Sequence, residues 1–408
     1  MVKFNSTLNK PNLVIIGAGI VGITIAREAS LSNLFKEIII LDKENQAGFH
    51  ATSRNSGVIH AGFYYSPESK KAEFCAEGNS LMRNYILKNS LAYNPCGKVV
   101  VSKNDDEDEI INMLGERGSQ NNCDVKVFKS SVLENYEPAA KTNRLFLWSP
   151  NTWSASPTEI LNCLLKEIKE YGVKLLLGRK IVDANSKSII TDNGEKINYD
   201  FLVNSAGGYA LSIANLFGIK TKYKILPFKG LYLKSIGKID NFKTHIYPVP
   251  DIKQPFLGIH TTITEDKFLK LGPTAIPVFS PENYTLFERL DKDLTPGIIS
   301  LQLSLFMKNT FQFRELAFRE FKYLFEKNII SSAQKLTTIE LSKFQFKWYS
   351  PGIRAQLYDS KLLKLENDIV IEKLDSSFHL LNSISPSWTC SFKTAEFVLE
   401  KIQERIIN

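Results

Sequence analysis

The sequence predicts an α/β fold, α+β overall, in which a parallel-sheet domain is combined with a domain built on an antiparallel sheet. Residues 12–42 read as a buried strand, a glycine-rich turn, a helix and a second strand in direct succession. Residues 222–349 show alternating apolar residues with Pro and Gly punctuation, which indicates antiparallel strands. The length of 408 residues exceeds what one compact core usually holds, so two domains are expected.

A glycine-rich turn follows the first predicted strand, residues 12–16, without a break. Its three glycines, Gly17, Gly19 and Gly22, have the G-x-G-x-x-G spacing. Gly17 permits the tight turn, Gly19 carries no side chain that would keep a pyrophosphate from the backbone, and Gly22 lets the helix approach the strand. Free N–H groups at the start of that helix attract phosphates. The motif therefore predicts a Rossmann-like dinucleotide-binding domain.

The helix opens with Ile20 and Val21 and leads to a second strand, residues 37–41, which is followed by Asp42 and Lys43. Asp42 stands about 20 residues beyond the last glycine, where a carboxylate binds the ribose hydroxyls of a dinucleotide. A carboxylate there repels a 2′-phosphate, so NADP is not expected. An unrelated glycine turn is the alternative, and the strand, helix and acid in register argue against it.

A loop is predicted from His50 to Tyr65, because small, hydroxyl and amide side chains are too dense there for a protein core. Its backbone and side-chain donors suit a phosphate and a polar ring system. An ordinary long loop is the alternative interpretation. The residues expected to contact a ligand are Thr52, Ser53, Arg54, Asn55 and Ser56.

This loop resembles the T-x-R-N-S-G-V-I-H-x-G-x-Y-Y segment of the L-2-hydroxyglutarate dehydrogenases and oxidases, which are FAD enzymes of the D-amino-acid-oxidase-like superfamily. The resemblance covers nearly the whole chain. Other segments resemble the family motifs C-G-K, P-F-R-G-x-Y, Y-P-V-P-D, P-F-L-G-V-H-x-T, L-G-P, G-V-R-A-Q and H-x-x-N-A-P-S-P-x-A-T, and they begin at residues 96, 227, 247, 255, 271, 352 and 379.

The resemblance implies FAD as the cofactor and two discontinuous domains. The Rossmann-like FAD-binding domain is expected to comprise residues 1–90, 150–221 and 350–408, and the substrate-binding domain, with its antiparallel sheet, residues 91–149 and 222–349. Besides the glycine turn and the loop, the residues that the resemblance assigns to FAD binding are Ile181, Val182, Ala206, Gly207, Arg354, Pro386, Ser387, Trp388 and Thr389.

The resemblance also implies oxidation of a 2-hydroxy acid to a 2-oxo acid, with L-2-hydroxyglutarate the expected substrate and flavin N5 the hydride acceptor. Such a reaction requires a base for the hydroxyl proton and cations for the carboxylates. His260 is the first candidate for the base and His60 the second, since histidine titrates near neutral pH; a structural hydrogen bond is the alternative for both. Arg354 is the expected carboxylate clamp, with a structural ion pair or a flavin contact as its alternative. Further candidates for the same pocket are Lys229, Tyr232 and Arg54.

Several residues around the expected pocket depart from the family pattern. Trp388 and Ser387 occupy positions where the relatives usually have small residues, and Ile384 replaces a proline. Lys229 replaces an arginine and Leu231 an acidic residue. Two other functions therefore stay open, an FAD-dependent amine or amino-acid oxidase of the same superfamily and an FAD-binding flavoprotein without catalytic activity. The exact substrate, the electron acceptor, the oligomeric state and covalent attachment of FAD also stay open.

The composition argues against several other classes of protein. The 51 Lys and Arg exceed the 43 Asp and Glu, which gives a net charge of +8. Without a basic-aromatic motif, this excess suits an acidic substrate or an anionic membrane surface better than nucleic acid, so no nucleic-acid partner is expected. The five cysteines lack paired spacing, which argues against a disulfide framework or a zinc site and fits a reducing cytoplasm. No metal is expected, and no segment approaches the roughly 18 apolar residues of a membrane span.

Residues 296–330 combine many large apolar side chains with basic ones. Helices that pack on the substrate domain are the first interpretation. The alternative is a surface that docks on anionic lipid at the inner face of a membrane, as a basic amphipathic helix does, with a quinone among the electron acceptors considered. The basic residues are Lys308, Arg314, Arg319, Lys322 and Lys327.

Overall fold

The computed structural model describes residues 10–251, 256–285 and 288–407. Pro255, at the start of one family-like segment, and residues 1–9 of the expected FAD-binding domain lie outside them. The α-helices among the described residues are α1 Ile20–Ser32, α2 Lys70–Lys88, α3 Asp105–Gln120, α4 Leu133–Tyr136, α5 Pro157–Glu170, α6 Ala210–Leu216, α7 Thr295–Lys308, α8 Phe313–Phe321, α9 Glu326–Gln334 and α10 Ser387–Ile407. The strands are β1 Asn12–Ile16, β2 Glu37–Leu41, β3 Val58–Ile59, β4 Tyr93–Asn94, β5 Lys98–Val101, β6 Lys126–Lys129, β7 Leu145–Ser149, β8 Trp153–Ala155, β9 Lys174–Leu176, β10 Ile181–Ala184, β11 Ser188–Thr191, β12 Lys196–Asn198, β13 Phe201–Asn204, β14 Tyr223–Ser235, β15 His245–Pro248, β16 His260–Ile263, β17 Leu269–Gly272, β18 Ile276–Pro277, β19 Phe346–Asp359, β20 Lys364–Leu365, β21 Ile371–Leu374 and β22 Ser377–Leu380.

The first large sheet has the strand order β21-β22-β13-β1-β2-β9. All its pairs are parallel except that of the edge strand β21 with β22. Strand β1 is buried on both faces, as a central parallel strand requires. Leu13 and Ile15 face the helices α1, α2, α5 and α10, whereas Val14 and Ile16 face the small sheet β10-β11-β12. The predicted Rossmann-like sheet is thereby confirmed.

The predicted start of α5 illustrates how closely local sequence determines these elements. The helix begins at Pro157, whose fixed φ angle suits the first helical turn. The Ser156 hydroxyl accepts a hydrogen bond from the Glu159 N–H at 3.3 Å and caps the helix. The predicted hairpin at Asp192-Asn193-Gly194 joins β11 to β12.

The second large sheet has the order β20-β19-β14-β17-β16-β15-β5-β7-β6, with β18 beside β14. Its pairs are antiparallel except for β15 with β5. The long strands β14 and β19 pair along their whole length, from Tyr223 opposite Asp359 to Ser235 opposite Phe346. This sheet confirms the predicted antiparallel-sheet part of the fold.

Strand β19 crosses the expected domain boundary between residues 349 and 350. Arg354, assigned by sequence to the FAD-binding domain, therefore lies on a strand of the second large sheet, opposite Phe228 of β14. The division into two domains stays a prediction.

Residues 296–330 form helices, as predicted, and α7 and α8 bury one face each, including Leu305 and Leu316. In the part of the chain that the structure describes, no helix is both long enough and apolar enough to cross a bilayer.

Candidate active site

A cavity of about 520 Å³ lies where the two large sheets meet. Its wall is formed by the turn between β1 and α1, the loop from Gly48 to His60, the strands β14 and β19, and the start of α10. The predicted site residues that line it are Gly17, Gly19, Ile20, Val21, Asp42, Lys43, Thr52, Arg54, Asn55, Ser56, His60, Ile181, Val182, Ala206, Gly207, Tyr232, Arg354, Pro386, Ser387, Trp388 and Thr389.

Four predicted site residues do not line this cavity: Gly22, Ser53, Lys229 and His260. Gly22 packs under the turn, where a Cβ atom would lie 2.0 Å from the Gly17 carbonyl oxygen. The Ser53 N–H donates to the Gly48 carbonyl at 3.2 Å and so folds the loop. The buried Lys229 Nζ donates to the Tyr284 carbonyl at 3.3 Å. Their roles toward a ligand stay predictions.

The glycine turn has the conformation that its sequence requires. Gly17 has φ +104°, and a Cβ atom on it would lie 2.6 Å from the Ser205 carbonyl oxygen. A Cβ atom on Gly19 would approach only the Thr52 hydroxyl, at 3.3 Å, on the cavity side. The same hydroxyl accepts a hydrogen bond from the Ile20 N–H at 3.0 Å. The turn therefore leaves open the space above Gly19 at the positive end of α1.

Asp42 lines the cavity beyond the end of β2. Its Oδ2 accepts from the Ala18 N–H at 2.8 Å and its Oδ1 from the Glu44 N–H at 2.9 Å. A carboxylate has about four lone-pair directions, so these two bonds fix its orientation and leave capacity for hydroxyl donors.

A charged cluster borders the same end of the cavity. Lys43 pairs with Glu44 at 2.6 Å and with Glu282. The His50 Nε2 lies 3.1 Å from each of these carboxylates. Burial raises the pKa of Glu282, but His50 and Lys43 outweigh it and hold the value at about 2. Glu44, His50 and Glu282 have the donor atoms of a metal site, yet Lys43 already supplies positive charge to both carboxylates.

Three arginines line the cavity. Arg179 pairs with Glu195 at 3.6 Å, whereas Arg54 and Arg354 form no ion pair with the described residues. The Arg54 Nε donates to the Phe49 carbonyl at 3.2 Å, and its guanidinium lies 4.2 Å from the centre of the Tyr284 ring. The Arg354 Nη1 donates to the Thr274 carbonyl at 3.1 Å. These bonds orient both groups while their charge remains uncompensated, which suits an anionic ligand.

Of the two candidate histidines, one lines the cavity and the other lies behind its wall. His60 lines the cavity, and its backbone N–H donates to the Thr389 hydroxyl at 3.1 Å. His260 is buried against Tyr247, with 3.7 Å between the ring centres. Its Nδ1 lies 2.8 Å from the Gly258 carbonyl, which only accepts, so Nδ1 carries the proton and Nε2 the lone pair. Burial, aided by the charge of Lys98, lowers the pKa of His60, and burial lowers that of His260 to about 3.

Helix α10 begins at Ser387 and directs its positive end at the cavity. Trp388 follows and is 8% exposed. Its Nε1–H has no hydrogen-bond partner among the described residues. A buried indole N–H normally donates to an acceptor, so this wall suits a ligand that carries carbonyl oxygens or ring nitrogens.

A family model described as FAD dependent oxidoreductase, DAO, matches residues 12–308. The chain belongs to the DAO family of FAD-dependent oxidoreductases. This is an enzyme family, and its cofactor is FAD.

Relatives with the same family resemblance extend over nearly the whole chain. L-2-hydroxyglutarate dehydrogenase, mitochondrial, from Bos taurus is 30% identical over 416 residues, which cover 97% of this chain and 89% of that protein. The protein of that name from Caenorhabditis elegans is 30% identical and covers 99% and 95%. L-2-hydroxyglutarate dehydrogenase from Escherichia coli (strain K12) is 28% identical and covers 96% and 93%.

Solved structures with this fold are more distant in sequence. L-α-glycerophosphate oxidase from Mycoplasma pneumoniae, with FAD bound, matches with a TM-score of 0.72 at 18% identity, over 97% of this chain and 95% of that one. Glycine oxidase from Geobacillus kaustophilus matches with a TM-score of 0.72 at 14% identity, over 97% and 95%. At these identities the likeness concerns the fold alone.

The cavity of this FAD-dependent oxidoreductase fits its cofactor on three counts. The open space above Gly19 admits a pyrophosphate, and the lone pairs left on Asp42 admit ribose hydroxyls. The unpartnered Trp388 N–H and the start of α10 suit the polar edge of a flavin ring. Sequence reasoning missed one wall, which includes Tyr209, Glu282 and Tyr284, because no motif marks those residues.

Proposed function

We propose that this oxidoreductase converts L-2-hydroxyglutarate, or a similar 2-hydroxy acid, to the 2-oxo acid. One observation carries the proposal: the cavity combines a neutral histidine, His60, with two arginines, Arg54 and Arg354, that have no carboxylate partner among the described residues. The relatives named for this substrate, about 30% identical over nearly the whole chain, support it.

Arg354 is the proposed carboxylate clamp. It lies on β19 opposite Phe228 of β14, and a Cβ atom on the nearby Gly230 would lie 3.7 Å from its Nη2. Because Gly230 has no side chain to crowd the guanidinium, this group can bind a carboxylate through two N–H groups. Arg54 is the proposed second cation, because a dicarboxylate requires compensation at both ends.

His60 is the proposed base that removes the hydroxyl proton, because it lines the cavity and a neutral imidazole accepts a proton. His260, the first candidate from the sequence, stays an alternative that mutation can test. When bound, FAD supplies the hydride acceptor. The chain supplies the base, the cations and the exclusion of water.

Anaerobic mixing of the FAD-loaded protein with L-2-hydroxyglutarate tests the proposal through loss of flavin absorbance. The D enantiomer, L-malate, glycine and sarcosine serve as matched compounds. We expect selective reduction by L-2-hydroxyglutarate. Reduction by glycine or sarcosine would support an amine oxidase instead, and reduction by none of the five would support an FAD-binding protein without this activity.

We also propose a partner surface, defined here as the outer apolar face: Leu303, Met307, Phe318, Phe321 and Phe325. Its residues are large and strongly exposed, for example Met307 at 78% and Phe318 at 62%. Leu303 and Met307 are one turn apart on α7, opposite the buried Leu305 side. The Phe306 and Phe318 rings, 5.9 Å apart, join α7 to α8.

An anionic bilayer is the proposed occupant of this face. Five exposed basic side chains lie in the same segment, against one exposed carboxylate, Glu315, and the partly buried Glu326; Glu320 is buried and accepts from the Ala275 N–H. Apolar side chains that enter a bilayer, framed by cations that meet lipid phosphates, are the arrangement of peripheral membrane proteins. Leu294, directly before α7, lines the cavity, so docking would bring the site near a lipid-soluble acceptor such as a quinone.

Co-sedimentation with phosphatidylcholine vesicles, with and without phosphatidylglycerol, tests the surface. We expect binding to the anionic vesicles that weakens as salt is added, and loss of binding in the double variant Phe318→Ser/Phe321→Ser. Leu362→Ser is the matched control, because Leu362 is 58% exposed elsewhere on the protein. Equal binding by the double variant, or none by the wild type, would contradict the proposal.

A further inference from the structure

Lys98 is a buried lysine outside the cavity wall. It lies at the start of β5, is 0% exposed, and its Nζ has no hydrogen-bond partner among the described residues. A buried ammonium normally pairs with a carboxylate, because desolvation of an isolated charge is costly. No carboxylate among the described residues pairs with Lys98.

Three aromatic rings enclose this ammonium. The Nζ lies 4.5 Å from the centres of the Phe63 and Tyr64 rings and 4.7 Å from that of Tyr247. Ring faces attract a cation, and the attraction grows when water is excluded. The three rings therefore stabilise the ammonium without carrying a negative charge of their own, so its positive charge is not neutralised.

The cage connects the two elements that carry the candidate histidines. Phe63 and Tyr64 follow His60 by three and four residues in the same loop. Tyr247 lies on β15 and stacks on His260 with 3.7 Å between ring centres. One ammonium thus contacts the loop of one histidine and the stacking partner of the other.

We propose that Lys98 is a positioning residue of the oxidation site. Its ammonium, caged by Phe63, Tyr64 and Tyr247, joins the loop of His60 to the residue that stacks on His260, and its positive charge opposes protonation of both imidazole rings. This inference rests on the proposed function for its catalytic consequence, but the charge effect on the histidines is independent of any substrate.

The electrostatic surroundings are consistent with this role. Burial is the main cause of the low pKa of both histidines, and Lys98 lowers each value further. His260, His245 and Arg354 also lower the pKa of His60, and Arg354 lowers that of His260, whose Gly258 hydrogen bond raises it. Those that face Lys98 are Tyr64, Tyr247, Cys75 and Cys123, and burial lowers the pKa of Lys98 itself to about 7.

The test compares wild type, Lys98→Met and Lys98→Arg as FAD-loaded proteins. The ring ¹⁵N chemical shifts of protein labelled with ¹⁵N-histidine report the protonation state of each of the five histidines. The variants His60→Gln and His260→Gln assign two of the signals. We expect Lys98→Met to raise the protonation midpoint of one or both rings by about one pH unit. Lys98→Arg keeps the charge and should keep the midpoint low.

Lys234→Met is the matched control. Lys234 also lies over an aromatic ring, 4.1 Å from the centre of Phe268, but it has a carboxylate partner, Asp266, at 3.6 Å. The same chemical change there should leave both midpoints unaltered. Unchanged midpoints in Lys98→Met would overturn the charge role, whether or not any substrate reduces the flavin.

Flavin reduction by the identified substrate adds a second readout. Lys98 loses its proton above a pH of about 7, so the rates of wild type and Lys98→Met should differ below that pH, where wild type carries the charge, and converge above it. An equal loss at every pH would indicate packing damage and contradict the proposal. Should Lys98→Met not fold, Lys98→Arg decides, because its permanent charge must abolish the change in rate near the Lys98 pKa.

Discussion

A matched pair of alanine substitutions in the glycine turn separates the needs of the fold from those of FAD. Gly19 has φ −82° and ψ 176°, a conformation that alanine adopts without strain. Its Cβ would meet only the Thr52 hydroxyl at 3.3 Å. On Gly22 the added Cβ would lie 2.0 Å from the Gly17 carbonyl oxygen, and the backbone would have to move to relieve this clash.

Gly19→Ala should therefore leave the stability of the FAD-free protein within about 1 kcal/mol of wild type. The methyl group points into the space assigned to the pyrophosphate, and overpacking of this kind costs about 1–3 kcal/mol. That cost corresponds to an FAD dissociation constant raised about 5- to 150-fold. Gly22→Ala, in contrast, should lower the thermal midpoint even without FAD.

Fluorescence titration of FAD and thermal unfolding of the FAD-free proteins measure the two effects separately. Far-ultraviolet circular dichroism shows that each variant is folded before titration. The reasoning would be refuted by Gly19→Ala that binds FAD as tightly as wild type. Gly22→Ala with wild-type stability would equally refute the close approach of α1 to the turn.

Three further predictions concern charge and proton transfer. Arg354→Met should raise KM for L-2-hydroxyglutarate about 10- to 100-fold at unchanged FAD content, because a charge-assisted pair is lost; steady-state kinetics would show an unaltered KM if the clamp lies elsewhere. His60→Gln should slow flavin reduction by about 10² to 10⁴ in stopped-flow measurements, and a loss confined to His260→Gln would transfer the role of base to that residue. The pKa of Glu282 is about 2 in the folded protein against an ordinary 4.5. The ionised Glu282 therefore stabilises the folded protein fully above pH 4.5, and this contribution is lost as the pH falls to about 2. The free energy of unfolding in urea should accordingly be higher for wild type than for Glu282→Gln at neutral pH, and the two values should converge in strong acid. A difference that does not change with pH would show that the ion cluster is not its cause.

The nucleotide-binding half was predictable because its signals are local. The turn at Gly17, the acid at Asp42 and the cap at Ser156 each act on neighbours that are close in sequence or lie in the adjacent strand. Local conformation and burial then follow from residue type and spacing. Such features can be predicted from short sequence segments without knowledge of tertiary contacts.

The details of the site were not predictable in this way. Tyr284 reaches Arg54 and His50 from more than two hundred residues away, and no spacing rule links them. The position of His260 behind Tyr247 depends on strand pairing in the second sheet. The cage of Lys98 likewise joins three segments, so its presence was visible only after folding.

The long pairing of β14 with β19 has a consequence for how such enzymes diversify. These adjacent strands carry Tyr232 and Arg354 to the cavity, whereas the glycine turn belongs to the other sheet. A lineage can therefore exchange side chains along two neighbouring strands and acquire a new substrate without rebuilding its nucleotide site.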